Sequence, residues 1–189
     1  MTQQQLEKYL WGAATALRGT IDAGDYKQYI FPLLFFKRIC DVYDEEFQNA
    51  LLESDGDIEY ANLPEFHRFI IPEGCHWKDV REQTQNIGLA VEKAFRGIEQ
   101  ANLEQLYGIF GDAQWSNKNK LSDRLLTDLI EHFSQYTLSN SLVEPDILGQ
   151  AYEYLIKHFA DLTNKKAGEF YTPRSVVHLL GLILDPHEG

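Results

Sequence analysis

Cysteine is scarce in this sequence, and long apolar runs are absent from it. The two cysteines, Cys40 and Cys75, form neither a disulfide framework nor a zinc-ligand spacing. No apolar run approaches the ~20 residues that a membrane-spanning helix needs. The first residues also lack the charged-then-apolar layout of a secretory signal. These absences predict a reduced, cytoplasmic protein with no membrane partner and no metal site.

Basic residues are scarce as well. The sequence has 17 Lys and Arg against 29 Asp and Glu, which gives a formal net charge of -12 at pH 7. A free-standing protein that binds phosphates with its whole surface needs the opposite balance. The imbalance is strongest from Asp41 to Glu59, where eight acidic residues occur without one Lys or Arg. Such a stretch is typical of a solvated helix end and loop, and the alternative is an acidic face for a basic partner.

Apolar residues, by contrast, are plentiful and recur at helical spacing. They make up 44% of the chain, so a sizeable core can form, and the spacing predicts a mainly α-helical bundle of five or more helices. The very apolar segment 26–52 is predicted to be central, with Pro32 kinking it or starting a new helix. Asp25 and Gln28 predict a capping box at its start. One short strand or hairpin is expected near 69–77.

The stretch GEFYTPR, residues 168–174, has the features of a binding site. Thr172 is a good N-cap and Pro173 suits the first helical position, so a helix is predicted to continue through RSVVHLLGLIL. The start of that helix would present free amide groups and a positive dipole end to an anion. Phe170 and Tyr171 add aromatic surface. A small ligand with a carboxylate and a flat ring system would suit this arrangement.

A longer stretch that contains this segment resembles a known family. Residues 148–186, LGQAYEYLIKHFADLTNKKAGEFYTPRSVVHLLGLILDP, resemble the entrance to the methyltransferase domain of adenine-specific DNA methylases, above all the modification subunit of type I restriction-modification systems. Two earlier segments resemble the helical N-terminal domain of the same family. They are LWGAATALRGTIDAGDYKQYIFPLLFFKRICDVYDEEF and LSDRLLTDLIEHFS. The resemblance implies an N-terminal helical domain over residues 1–142. It also implies that residues 143–189 begin a truncated α/β methyltransferase domain.

In that family, a segment like GEFYTPR helps to hold S-adenosylmethionine near its methionine end. The resemblance therefore implies six cofactor-binding residues: Glu169, Phe170, Tyr171, Thr172, Pro173 and Arg174. It implies no catalytic residue here, because the sequence lacks the glycine-rich cofactor loop and the Asn-Pro-Pro-Tyr-like motif that grips a flipped adenine. We therefore expect the segment alone to be inactive, whereas the full-length subunit would methylate N6 of adenine in DNA.

The resemblance also implies partners. These are a specificity subunit, a restriction subunit, a second modification subunit, and duplex DNA in the assembled complex. The segment would serve subunit assembly, DNA clamping and one edge of the cofactor site. The clustered cations that could touch phosphate are Arg18, Lys37, Arg38, Lys118, Lys120, Lys165 and Lys166. The alternative is a non-catalytic acidic helical module that binds a basic partner or mimics DNA, in which FYTPR is only a well-capped helix start.

Overall fold

The computed structural model describes residues 2–162, 172 and 174–184. These residues form nine α-helices and no strand, which confirms the mainly helical prediction. The helices are α1 Gln3–Ala16, α2 Tyr26–Glu53, α3 Ile58–Ala61, α4 Trp77–Arg81, α5 Ile87–Ala101, α6 Leu103–Leu106, α7 Asp123–Phe133, α8 Pro145–Leu162 and α9 Arg174–Leu184, with 3-10 helices at Ala23–Asp25 and Pro64–Phe66. Among the described helices, none is long and apolar enough to cross a membrane.

Helix α2 lies at the centre of the fold, as its apolar sequence predicts. Its side chains Leu33 and Phe36 are completely buried. Pro32 lies inside the helix, which runs on without a break, so no new helix begins there. Because proline has no amide hydrogen, the carbonyl oxygen of Gln28 receives no helical hydrogen bond from this position.

Aromatic rings join the neighbouring helices to α2. Helices α1, α4, α7 and α8 pack on α2, and α5 packs on α4 and α7. The ring of Phe36 lies 5.2 Å from Trp77 of α4 and 5.4 Å from Phe95 of α5, measured between ring centres. Phe110, from the loop after α6, stacks on Phe95 at 4.1 Å. Such ring pairs add to the free energy that their apolar burial already supplies.

Helix α1 packs against both α7 and α8. The hydroxyl of Tyr9 donates to the carbonyl oxygen of Phe133 at 2.7 Å, and the ring nitrogen Nε2 of His132 lies 2.7 Å from the carbonyl oxygen of Tyr9. On α8, Phe159 packs beside Trp11 with ring centres 6.5 Å apart. Helix α8 is therefore part of the same packed core as the helices before it.

The prediction of a strand or hairpin near 69–77 is wrong. Residues 67–76 form a loop, and α4 begins at Trp77. The amide of Ile70 donates to Oδ1 of Asn102 at 2.8 Å, and its carbonyl oxygen accepts from Nδ2 of Asn102 at 2.8 Å. Because one side chain satisfies the backbone groups that a neighbouring strand would use, this segment needs no partner strand.

The capping box predicted at the start of α2 is also wrong. Asp25 precedes the helix, but it ends a 3-10 turn with helical backbone angles, and its side chain makes no cap hydrogen bond. Its Oδ1 accepts instead from Nε2 of Gln28 at 3.2 Å. A side chain caps a helix from an extended backbone conformation, which the 3-10 turn prevents here.

Candidate functional site

Helix α9 occupies the range that the sequence predicts after FYTPR. Thr172 is exposed and lies two positions before the first helical residue, Arg174. The other predicted cofactor residues, Glu169, Phe170, Tyr171 and Pro173, lie outside the described residues, as does the side chain of Arg174. The described part of the candidate site is thus an exposed threonine followed by a helix N-terminus, whose free amide groups can bind an anion.

Apolar side chains lie on all sides of α9. Seven of them are large apolar groups with 42–74% of their surface exposed: Val176, Val177, Leu179, Leu180, Leu182, Ile183 and Leu184. A helix that is apolar all round is typical of a domain interior rather than of a surface.

Three charged residues of α2, with a fourth paired to one of them, hold the segment that connects α7 to α8. Lys37, Asp41 and Glu45 lie four positions apart, and Arg38 lies three positions before Asp41, so the four side chains share one face of the helix. Arg38, Asp41 and Glu45 contact the connecting segment Leu138–Ser141, about a hundred positions further along the chain, and Lys37 pairs with Asp41. We call these four residues the linker clamp.

The guanidinium group of Arg38 forms the first part of the linker clamp. Its Nη1 donates to the carbonyl oxygen of Leu138, and its Nη2 donates to Oδ1 of Asn140 at 2.6 Å. Burial lowers the pKa of Arg38, and the carboxylates of Glu45 and Asp41 oppose that effect. Arginine keeps its charge in proteins, so this group is a permanent cation under the linker.

The carboxylate of Asp41 forms the second part. Its Oδ2 accepts from the amide of Leu138 at 2.7 Å and also pairs with Nζ of Lys37. Burial raises the pKa of Asp41, whereas the hydrogen bonds from Lys37 and Leu138 act in the opposite direction. Removing one partner of a buried pair leaves the other charge uncompensated, which costs about 3–5 kcal/mol.

The carboxylate of Glu45 forms the third part. Its Oε2 accepts from the amide of Asn140 at 2.9 Å, and its Oε1 accepts from the amide of Ser141 at 3.0 Å. Burial raises the pKa of Glu45, but the hydrogen bonds that Ser141 and Asn140 donate outweigh it, so the pKa lies below its ordinary value. The linker clamp thus binds three positions of one short segment through its backbone.

The linker clamp uses two of the cations that the sequence suggested for phosphate contact. Lys37 is 5% exposed and Arg38 is 8% exposed, so neither can reach DNA. Nζ of Lys118 lies 2.7 Å from Oδ1 of Asn86 and 3.3 Å from Oδ2 of Asp123. The remaining four are exposed or lie outside the described residues: Arg18 and Lys120 are exposed, and Lys165 and Lys166 are outside.

Two family models match this chain. Residues 6–133, more than half of its length, match the HsdM N-terminal domain. The chain belongs to this family. A second model, N-6 DNA Methylase, matches residues 143–189. In this HsdM N-terminal domain protein, the segment Leu138–Ser141 that the linker clamp holds lies between the two matched segments.

Curated relatives are methylase subunits. The type I restriction enzyme MjaIX methylase subunit of Methanocaldococcus jannaschii is 24% identical over 98% of this chain and 36% of its own length. The MpnII methylase subunit of Mycoplasma pneumoniae is 28% identical over 94% of this chain and 39% of its own length. The HsdM N-terminal domain chain therefore spans 36% to 39% of these two relatives.

A solved structure has a similar fold. The type I restriction-modification system methyltransferase subunit from Streptococcus thermophilus is 26% identical in sequence to this chain. It superposes with a TM-score of 0.68 over 92% of this chain and 42% of its own. The arrangement of helices described above is therefore shared with a methyltransferase subunit.

Sequence reasoning missed the linker clamp. A signal was available, because Lys37, Asp41 and Glu45 recur every four positions in a helix that is otherwise largely apolar. A charged row on a central helix indicates a buried polar partner. The sequence does not show which distant segment provides that partner.

Proposed function

We propose that this chain is the N-terminal part of the modification subunit of a type I restriction-modification system. The full subunit transfers a methyl group from S-adenosylmethionine to N6 of adenine in DNA. The observation that carries the proposal is the order of the two family matches, an HsdM N-terminal domain over 6–133 followed by an N-6 DNA Methylase over 143–189. The shared fold and the methylase relatives support it.

The proposed domain division is 1–142 for the helical domain and 143–189 for the start of the methyltransferase domain. The linker clamp supports this division, because it fixes a short segment just before position 143. The exposed apolar side chains of α9 also support it, since such a helix requires the interior of a domain to cover it. On this proposal, the first helix of the methyltransferase domain, α8, packs on the core of the helical domain, and the clamp fixes the segment that leads into it.

The proposed cofactor is S-adenosylmethionine, since the N-6 DNA Methylase family implies a methyl donor of this type. The described residues fit it, because exposed Thr172 and the N-terminus of α9 offer hydrogen-bonding groups to a carboxylate. The residues that would hold it are Glu169, Phe170, Tyr171, Thr172, Pro173 and Arg174. The bound cofactor supplies an electrophilic methyl group, and these residues orient it at one edge of the site.

The proposed partners are a specificity subunit, a restriction subunit, a second modification subunit and duplex DNA in a cytoplasmic complex. The net charge of -12 supports the assignment of DNA reading to another subunit. The burial of Lys37 and Arg38 supports it as well, because it withdraws two cations from the surface. The helical domain would then assemble subunits and help them close around the duplex.

Methyl transfer tests this proposal. Full-length subunit with its specificity subunit should transfer a labelled methyl group from S-adenosylmethionine to adenine in duplex DNA. The chain 1–189 should transfer none under the same conditions, because it lacks the glycine-rich loop and the adenine-gripping motif. Absence of transfer by the full-length complex would contradict the proposed function, and transfer by 1–189 alone would contradict the assignment of catalysis to residues elsewhere.

The cofactor edge has its own test in the full-length subunit. Thr172→Ala should weaken S-adenosylmethionine binding roughly fivefold, since it removes an exposed hydroxyl that can bond to the cofactor just before the helix, a hydrogen bond worth ~1 kcal/mol. Thr15→Ala is a matched control, because the hydroxyl of Thr15 donates within α1, to the carbonyl oxygen of Trp11. Calorimetry with the cofactor measures both variants. Equal cofactor affinities of the two variants would mean that FYTPR only starts a helix and does not bind the cofactor.

A further inference from the structure

The acidic stretch 41–59 divides into two halves with different roles. Each of its first four carboxylates contacts a segment that is distant along the chain. Besides Asp41 and Glu45, Oδ1 of Asp44 lies 3.1 Å from Nε2 of His76, and Oε2 of Glu46 accepts from the amide of Arg68 at 3.0 Å. The last four, Glu53, Asp55, Asp57 and Glu59, are all exposed. Within this stretch, the carboxylates without a cation or a distant backbone partner among the described residues therefore lie at the far end of α2.

Large apolar side chains are exposed at the same end. Leu52 is 79% exposed, Ile58 62%, Tyr60 37% and Leu63 40%, all within a stretch of a dozen positions. Single exposed apolar residues are ordinary, but a group of them framed by charge marks an interaction surface. We call this surface the acidic tip: Leu52, Ile58, Tyr60 and Leu63 with Glu53, Asp55, Asp57, Glu59 and Glu65.

The acidic tip is rigid before any partner arrives. The amide of Gly56 donates to the carbonyl oxygen of Leu51 at 2.8 Å, which closes the end of α2. Oδ1 of Asp57 caps α3 by accepting from the amide of Tyr60 at 3.1 Å. The ring of Tyr60 packs on Phe66 with centres 4.5 Å apart. A surface that is already ordered loses little conformational entropy on binding.

We infer that the acidic tip docks a basic amphipathic helix of a protein partner. Its apolar side chains require an apolar face, and its carboxylates require Lys or Arg beside that face. The described residues offer no sheet edge to which a strand could add, so the partner element must satisfy its own backbone, as a helix does. Duplex DNA, anionic lipid and a second copy of this chain at -12 would each meet like charge. The inference deepens the proposed role in subunit assembly and is independent of methyl transfer.

The test uses synthetic helical peptides as probes. One peptide carries a leucine seam flanked by lysines, a second carries the same seam flanked by glutamates, and a third is a scrambled lysine peptide without a seam. Only the first should bind, with an affinity that falls as salt rises, and hydrogen exchange should slow at residues 52–63. Absence of binding by the first peptide, or equal binding by either of the others, would overturn the inference.

Variants of the chain locate the site. Leu52→Ser with Ile58→Ser should weaken binding about tenfold or more, because two apolar contacts are lost. Glu53→Gln with Glu59→Gln should reduce the salt dependence. Leu89→Ser with Leu103→Ser is the matched control, since these side chains are 59% and 55% exposed on other helices, and it should bind normally.

Two further results would overturn the inference. One is binding that survives in the variant Leu52→Ser with Ile58→Ser, which would place the peptide elsewhere. The other is self-association of the unmodified chain that this variant abolishes, which would make a second copy the occupant. Sedimentation measures self-association, and circular dichroism confirms that all variants are folded. Because no step involves methylation, failure here would leave the proposed enzymatic function untouched.

Discussion

At the scale of single residues, the charges of α2 are structural rather than catalytic. Arg38, Asp41 and Glu45 each bind a backbone group of the segment between α7 and α8. Backbone groups in a segment without regular structure need partners, and charged side chains provide stronger hydrogen bonds than neutral ones. These residues therefore stabilise a connection that has no helix or sheet of its own.

The linker clamp gives a prediction about stability. Arg38→Gln should lower the free energy of unfolding by about 3 kcal/mol, because it leaves buried acceptors without their charged donor. Urea titration measures the change. Arg81→Gln is the matched control: Arg81 pairs with Glu131 at 2.7 Å, but both side chains are about half exposed. The control should cost less than ~1 kcal/mol, since solvent screens surface pairs. Equal losses would contradict the role assigned to the clamp.

At the scale of elements, α5 depends on a close approach that only glycine permits. A Cβ atom built on Gly88 would lie 2.0 Å from the carbonyl oxygen of Trp115. Trp115 is 2% exposed, and its ring packs edge-on against Phe95 and Tyr29. The start of α5 thus touches the backbone of the loop that carries this buried indole.

Substitution of Gly88 tests this contact. Gly88→Ala should destabilise the protein by about 1–3 kcal/mol or more, because the methyl group meets backbone atoms that must shift. Gly149→Ala is the control, since nothing lies within 4 Å of a Cβ at that position in α8. It should stabilise by about 0.5–1 kcal/mol through helix propensity. Thermal unfolding measures both variants. If Gly88→Ala were more stable than the unmodified chain, the loop that carries Trp115 could shift at little cost.

At the scale of the whole molecule, several carboxylates link stability to pH. Arg81 lowers the pKa of Glu131. Burial raises the pKa values of Glu45 and Asp123, but the hydrogen bonds that they accept outweigh it and lower both. Each group's stabilising contribution is complete above its unfolded pKa of about 4 and is lost as the pH falls through the lower folded value. Burial raises the pKa of Asp41, whose contribution has the opposite sign.

Acid should therefore remove the stabilising contributions of Glu45, Asp123 and Glu131, while the raised pKa of Asp41 acts in the opposite direction. The free energy of unfolding from urea titrations should fall between neutral pH and about pH 3. Glu131→Gln should make this fall shallower. Glu104→Gln, which changes an exposed carboxylate without a hydrogen bond or ion pair to any described residue, should leave it unchanged. The same slope in Glu131→Gln and the unmodified chain would contradict the contribution assigned to Glu131.

The charge of the whole molecule also sets its behaviour toward DNA. A net charge of -12, with Lys37 and Arg38 buried, predicts that the chain alone binds duplex DNA at or beyond ~10⁻⁴ M at physiological salt. Fluorescence anisotropy with a short duplex at two salt concentrations measures this. Micromolar binding with a steep salt dependence would reveal a basic face that the described surface does not show.

Much of the fold could be predicted from the sequence, because helical periodicity is a local signal. The central position of α2 follows from its apolar composition, and the range of α9 follows from the run after FYTPR. The strand expected near 69–77 failed because Asn102, a residue distant in sequence, bonds both backbone groups of Ile70. The six residues assigned to the cofactor site remain a prediction from the motif, since the structure describes only Thr172 and the backbone of Arg174 among them.

The sequence by itself determined the helices, their apolar faces and the family, because each depends on residue type and on spacing along the chain. Only the tertiary structure decided which charged side chains bind other segments of the fold and which remain in solvent. Arg38 meets Leu138, which is 100 positions away, and the first four carboxylates of the acidic stretch contact distant segments while the acidic tip stays in solvent. The physical reason is that apolar burial follows a local period, whereas a polar group is satisfied by whichever partner the packing brings within hydrogen-bond distance.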